Sequence, residues 1–224
     1  MERTEGVILT TLNFQEYDQI LKVFTPEQGV VKFIFKRALS HKGRQGAVLA
    51  PLSRAEFHYI KGKGEFNKCR EVCMLNPHLS LRQELAWLQT GCEMLQIILQ
   101  SQVEQKSAPA LYKLLISYLE KIPLMTDPQV LVSSLRLKIL RHDGLYRIGA
   151  VCDQCEQPLK GFSAIGGETF CKSHAPSHCV EFCDEETDLL EHLAFCQTFT
   201  QLKGITVPAH VNHKVKHFFN DLVC

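Results

Sequence analysis

Val31-Lys32-Phe33-Ile34-Phe35-Lys36 is the stretch on which the fold turns. Val31, Phe33 and Phe35 occupy every second position, so a strand here buries them on one face and turns Lys32, Ile34 and Lys36 to the other. The same alternation returns in Arg54-Ala55-Glu56-Phe57-His58-Tyr59. Two earlier runs, Gly6-Val7-Ile8-Leu9 and Ile20-Leu21-Lys22-Val23-Phe24, read as strands as well. Pro26-Glu27-Gln28-Gly29 and Lys61-Gly62-Lys63-Gly64 supply turns between them. With a further run after the Lys61–Gly64 turn, five short strands in about 75 residues predict a small barrel of the oligonucleotide-binding (OB-fold) type.

Charge singles out the same region. The whole chain of 224 residues carries a formal net charge of only +1, yet residues 32–70 hold ten Lys and Arg against two Glu. The reverse holds at 181–191, where Glu181, Asp184, Glu185, Glu186, Asp188 and Glu191 meet no base. One region attracts polyanions and the other repels them. Lys36 to Arg44 reads as a polar, basic loop between the third and fourth strands. Lys32, Lys36, Arg37, Lys42 and Arg44 are the first candidates for phosphate contact, with Arg54, Lys61, Lys63, Lys68 and Arg70 behind them. The competing reading is a solvated strand face and loop.

From Ser80 the apolar period becomes helical. Leu81, Leu85, Leu88, Cys92, Leu95 and Leu99 predict one buried stripe, with Ser80 and Gln83 as a capping box. A second helix starts near Pro109, turns Leu111, Leu115, Tyr118 and Ile122 inward and stops before Pro123. A third runs from Asp127-Pro128 to Gly144. Leu189, Leu193 and Cys196, then Val211, Val215, Phe218 and Leu222, mark two more. The predicted class is α+β: an N-terminal barrel over 1–78, then a helical domain over 79–224 with a zinc-binding insert at about 150–180. No apolar run approaches the ~18 residues of a membrane span.

That insert carries Cys152-x2-Cys155, fifteen intervening residues and Cys171-x2-His174. Two chelating pairs joined by a hairpin-length spacer suit one tetrahedral Zn²⁺, and Gly166-Gly167 supplies the turn between them. The start Met1-Glu2-Arg3-Thr4-Glu5 is not a secretory signal, so a reducing compartment is expected, where clustered cysteines bind metal more often than they cross-link. Four protein ligands close the site to water, which makes it structural rather than catalytic. His178, Cys179 and Cys183 follow closely, and the fourth ligand is either His174, whose spacing repeats the first pair, or Cys179. No H-E-x-x-H, zinc-deaminase H-x-E or paired-carboxylate pattern accompanies the cluster, and a non-enzyme is expected. His210, His213 and His217 read as a polar helix stripe, and Cys69, Cys73, Cys92, Cys196 and Cys224 as core or incidental thiols. On the third helix, Arg136, Lys138 and Arg141 surround Leu135, Leu137 and Leu140. That pattern suits either an ordinary amphipathic core helix or a site for an acidic, hydrophobic peptide end.

The order of these parts resembles the bacterial recombination mediator RecO family. The resemblance runs from Gly6-Val7-Ile8-Leu9 and Phe24-Thr25-Pro26-Glu27-Gln28-Gly29, through Leu135-Arg136-Leu137-Lys138-Ile139-Leu140 before Gly144-Leu145, to Cys152-x2-Cys155 and Gly166-Gly167-x3-Cys171. It implies a cytoplasmic, nucleoid-associated protein without catalytic residues. Such a protein binds single- and double-stranded DNA, anneals complementary strands and helps load the RecA recombinase onto DNA coated by single-strand-binding protein. The implied partners are RecR, RecF in some settings, and the acidic C-terminal tail of single-strand-binding protein at the third helix. Family members with the metal site usually complete it with a fourth cysteine where this chain has His174. The alternative function is a zinc-stabilised nucleic-acid-binding interaction or regulatory module without annealing activity.

Overall fold

A computed structural model describes residues 1–36, 49–146 and 151–223. The basic positions Arg37, Lys42 and Arg44, and Cys224, lie outside the described residues. Five strands, β1 (Glu2–Phe14), β2 (Asp18–Thr25), β3 (Gly29–Phe35), β4 (Arg54–Ile60) and β5 (Asn67–Asn76), close into a barrel in the order β1-β2-β3-β5-β4. All neighbours are antiparallel except β3 and β5, which run parallel from Phe33↔Asn67 to Phe35↔Cys69. The expected alternation holds: Leu21, Val31, Phe33, Phe57 and Tyr59 fill the interior. Phe33 stacks on Phe57 at 5.2 Å and meets Tyr59 edge-on at 5.1 Å.

β1 is longer than the Gly6–Leu9 run because it serves two partners. Residues 2–7 pair with β4, and residues 7–14 pair with β2 across a bulge between Ile8 and Thr10. A bulge adds local bend and twist, which lets one strand join both flanks of a closing sheet.

Two compact units divide the chain, Met1–Pro123 and Leu124–Cys224. The first holds the barrel with α1 (Leu85–Ser101) and α2 (Pro109–Lys121). The change from strand to helix falls near residue 78, while contacts group these two helices with the barrel. The start of α1 corrects the sequence reading. His78 adopts a left-handed conformation (φ 44°), Leu79–Arg82 form a short 3-10 turn, and the helix begins after an extended Glu84, so Ser80 caps nothing. Its buried face is also rotated: Leu85 is 69 % exposed and Cys92 is exposed, while Thr90, Gly91, Met94, Leu95, Ile97 and Ile98 are buried. Gly91 lies on that buried face against Leu52, where a Cβ would come within 2.9 Å of a Leu52 methyl carbon.

The second unit holds α3 (Gln129–His142), α4 (Asp184–Phe195), α5 (Ala209–Val223) and a small sheet. Asp127 accepts the Gln129 N–H at the start of α3. At its end Gly144 (φ 75°) donates to Arg141 O and Leu145 donates to Leu140 O, the paired bonds of a Schellman stop. Among the described residues no helix is long and apolar enough to cross a membrane.

One polar cluster ties three elements of the first unit together. Glu5 of β1 accepts from Arg54 Nε of β4 and from the Tyr112 hydroxyl of α2, each at 2.7 Å. Arg54 holds the Glu5 carboxyl below its ordinary value of 4.5 against the opposing effect of burial. A depressed carboxylate pKa contributes stability above the unfolded-state value, and that contribution disappears as pH falls through the folded-state value. Thermal unfolding followed from pH 7 to pH 3 should therefore show a shallower acid limb in Glu5→Gln, together with lower stability at neutral pH. An acid limb identical to the parent would remove Glu5 from the linkage.

Candidate metal centre and basic barrel face

The insert folds around β6 (Phe162–Ile165), β7 (Glu168–Phe170) and β8 (Val180–Phe182), in sheet order β7-β6-β8. Gly166 and Gly167, at φ 58° and 84°, form the two-residue turn between Ile165 and Glu168. Positive φ at both positions matches the right-handed twist of a tight hairpin, and glycine takes it without steric cost. Gly166 N–H donates to Asp221 of α5 at 2.6 Å, so the hairpin tip is bound to a helix of the same unit. Phe162, Phe182 and Phe218 pack ring to ring beneath it.

This sheet presents the second ligand pair and braces the first. Asp153 lies inside the Cys152–Cys155 turn; its carboxylate accepts from Thr169 N–H at 2.7 Å and its own N–H donates to Thr169 O at 2.8 Å. The turn ends on Glu156 in a left-handed conformation, with its N–H bonded to Cys152 O. His174 closes the second turn by donating to Cys171 O.

Cys152, Cys155, Cys171 and His174 thereby converge, all four ligand atoms lying within 4.8 Å of one another. His174 Nδ1 stands 3.3 Å from Cys171 Sγ and 3.8 Å from Cys152 Sγ, and the Cys155 and Cys171 sulfurs are 3.9 Å apart. Tetrahedral bonds of about 2.3 Å to sulfur and about 2.05 Å to nitrogen require edges of about 3.8 Å and about 3.6 Å, and these three distances lie close to them. The four residues can hold a metal ion. Burial would raise the Cys152 thiol pKa, but N–H donors from Cys171, Gln154 and Cys155 and the His174 ring bring it down to about 6, which favours the ligating thiolate. The rival fourth ligand, Cys179, lies outside the group, and Cys183 caps α4 in a reciprocal pair with Glu186. Among the described residues no second group of three ligands includes His210, His213 or His217.

The barrel carries the other candidate residues. Lys32 faces outward on β3, directly opposite Lys22 of β2, and Lys36 is exposed at the strand end. Lys61, Lys63, Lys68 and Arg70 are exposed, whereas Arg54 is engaged by Glu5. Lys22 was not among the sequence candidates; its signal is the inward pair Leu21 and Val23 on either side, which forces it outward. Lys32 is bonded to Glu104 and Glu65, and both raise its pKa, Glu104 more strongly.

On α3 the three bases part company. Arg136 is only 3 % exposed, while Lys138 donates to Cys196 O at 2.7 Å and Arg141 to Ala194 O at 2.8 Å. Those carbonyls close the C-terminal end of α4, where positive charge opposes the helix dipole favourably. Arg141 also lies 4.3 Å over the ring of Phe195, a side chain 51 % exposed.

Comparison with known proteins divides the chain at the strand-to-helix change. Residues 1–78 match the family model described as recombination protein O N terminal, and residues 82–222 match recombination protein O C terminal. A DNA repair protein RecO of Chlamydia trachomatis is 26 % identical over 221 residues, covering 97 % of this chain and 90 % of the relative. The protein of that name from Chlamydia pneumoniae is 24 % identical over 219 residues, 97 % of this chain and 86 % of the relative. That of Exiguobacterium sibiricum is 25 % identical over 195 residues, 85 % and 78 %.

Protein purified without chelator should carry one metal ion per chain by elemental analysis. Cys155→Ser and His174→Ala should each lose most of it and lower the unfolding temperature of the second unit. A metal-free parent would defeat the site, and full retention by His174→Ala would pass the fourth position to a neighbour such as Cys179.

Proposed function

Because the chain belongs to the RecO family of DNA repair and recombination proteins, we propose that it acts as a non-enzymatic mediator. In this reading it binds single- and double-stranded DNA, anneals complementary strands, and with RecR, and RecF where present, helps load RecA onto DNA covered by single-strand-binding protein. It works in the cytoplasm at the nucleoid. The observation that carries the reading is the closed barrel with Lys22, Lys32, Lys36 and Lys68 on its outer face. Ammonium groups on a sheet surface track phosphates by releasing counterions and read no sequence, which suits a protein that must anneal any pair of strands.

The metal in this reading is a single zinc ion, since three thiolates and one imidazole in a tetrahedral frame suit Zn²⁺. It would be held by Cys152, Cys155, Cys171 and His174 and would supply stability to the insert, with no open position for chemistry. The tail of single-strand-binding protein is assigned to α3. Arg141 over the exposed ring of Phe195, with Lys138 at the neighbouring Cys196 carbonyl, offers charge and apolar surface together, which an acidic peptide ending in hydrophobic residues would use. Arg136 would support this face from its buried position.

Annealing of complementary strands coated with single-strand-binding protein should accelerate when this chain is added; no acceleration at any salt concentration would favour the plain nucleic-acid-binding module instead. Replacing Lys36, Arg37, Lys42 and Arg44 with alanine should weaken binding to all sequences alike and flatten the salt dependence by up to about 2.8 in log–log slope on single strands. Lost affinity with an unchanged slope would point to a damaged fold. Arg141→Glu should abolish binding of a peptide copying the tail and leave affinity for bare DNA nearly intact. Parallel loss of both would mean that the two activities share a surface.

A further inference from the structure

Lys32, the least exposed of the candidate phosphate contacts among the described residues, is already bonded to two of the chain's own carboxylates. It stands opposite Lys22 across β2 and β3, and like charges directly opposite one another on a sheet repel. Glu104 lies 2.6 Å from its ammonium group, and Glu65 touches it as well. Lys32 is 17 % exposed in its side chain, against 55 % for Glu65 and 46 % for Glu104, so the acids form the outer layer over the base.

Glu104 is held in place by its backbone. It belongs to the connector between α1 and α2, which runs along the turn between β2 and β3. Ala108 N–H donates to Pro26 O at 3.0 Å, the Ser107 hydroxyl reaches the same oxygen at 3.2 Å, and Glu104 bridges Gly29 and Val30. Gly29 sits at φ 63°, and a Cβ there would come within 2.5 Å of Lys106 O, so the seat of the connector requires glycine. Glu65 comes from the loop between β4 and β5, where Gly62 N–H is tied to Asn67 at 3.1 Å. Two separate segments therefore deliver carboxylate oxygens to one ammonium group.

An oxygen anion in charge-assisted contact with a lysine occupies the place a phosphate oxygen would take. Resting on the reading of the barrel as a DNA surface, we propose that Glu65 and Glu104 set its affinity by standing in for phosphate at Lys32. A DNA strand gains this contact only by displacing both acids. A single phosphate group offers too little in exchange, whereas a strand that also meets Lys22 and Lys36 replaces the two carboxylates with a row of phosphates. The acids thus favour an extended polyanion over small anions. The competing account gives them only a structural duty, relief of the Lys22–Lys32 repulsion and anchorage of the connector.

A double-mutant cycle on the full chain separates these accounts, with fluorescent oligothymidylate as the probe and anisotropy as the readout over a range of salt. Glu65→Gln/Glu104→Gln should bind roughly three- to tenfold more tightly at low salt, with a salt slope steeper by about 0.7, the increment for one further phosphate neutralised on a single strand. Adding Lys32→Ala should abolish both gains. Glu65→Gln alone, which leaves the connector untouched, should give part of the gain if loss of Glu104 disturbs folding. No gain in either acid variant overturns the masking, and so does a gain that survives Lys32→Ala, which would be a general charge effect. If Lys22→Ala/Lys32→Ala/Lys36→Ala binds DNA as the parent does, the barrel reading fails and the masking fails with it.

Discussion

The double pairing of β1 is the constraint on which the first unit depends. One half of the strand bonds to β4 and the other to β2, with the bulge between Ile8 and Thr10 at the crossover. Without it the sheet would be open at β1, and Phe33, Phe57 and Tyr59 would lose the wall that keeps their ring cluster dry. Closure also fixes which side chains point outward, because every residue paired across the sheet shares a face with its partner. The outward placement of Lys22 and Lys32 is thus a consequence of the same register that buries Leu21 and Phe33.

The insert of the second unit solves a different problem. Three strands of three or four residues bury too little apolar surface to order themselves. The aromatic trio Phe162, Phe182 and Phe218 supplies one anchor, and the Cys152, Cys155, Cys171 and His174 cluster would supply another with a metal ion bound. Metal ligation in such a setting is equivalent to folding energy, since the ligands converge only when the hairpin is formed.

Much of this was legible in the sequence because it rests on short-range patterns. Val31 to Phe35 alternated as written, Gly166-Gly167 turned the hairpin, and the two chelating pairs met. What could not be read was set by contacts distant along the chain. The buried face of α1 includes Gly91 against Leu52, a contact that no periodicity in residues 80–101 contains. The fifth barrel strand is faint because only Cys69 and Val72 of Asn67–Asn76 are buried. Arg136, Lys138 and Arg141 looked alike as bases on a helix, yet one is buried and two close the end of α4. Charge counting likewise marked Lys32 as a phosphate contact and missed Glu104, which a connector some seventy residues away brings to it.

The bond from Gly166 to Asp221 has a bearing on the order of events during synthesis. Chains are made from the N-terminus, and domains fold as they emerge at about 5–20 residues per second. Both ligand pairs leave the ribosome before α5 does, so the hairpin tip lacks Asp221 and the aromatic cluster lacks Phe218 at the moment the four ligands first become available. During that interval the ligand turns have the Asp153–Thr169 bonds to hold them and lack the two contacts to α5. An ion bound by the four ligands at that stage would therefore meet a hairpin that α5 has not yet fixed.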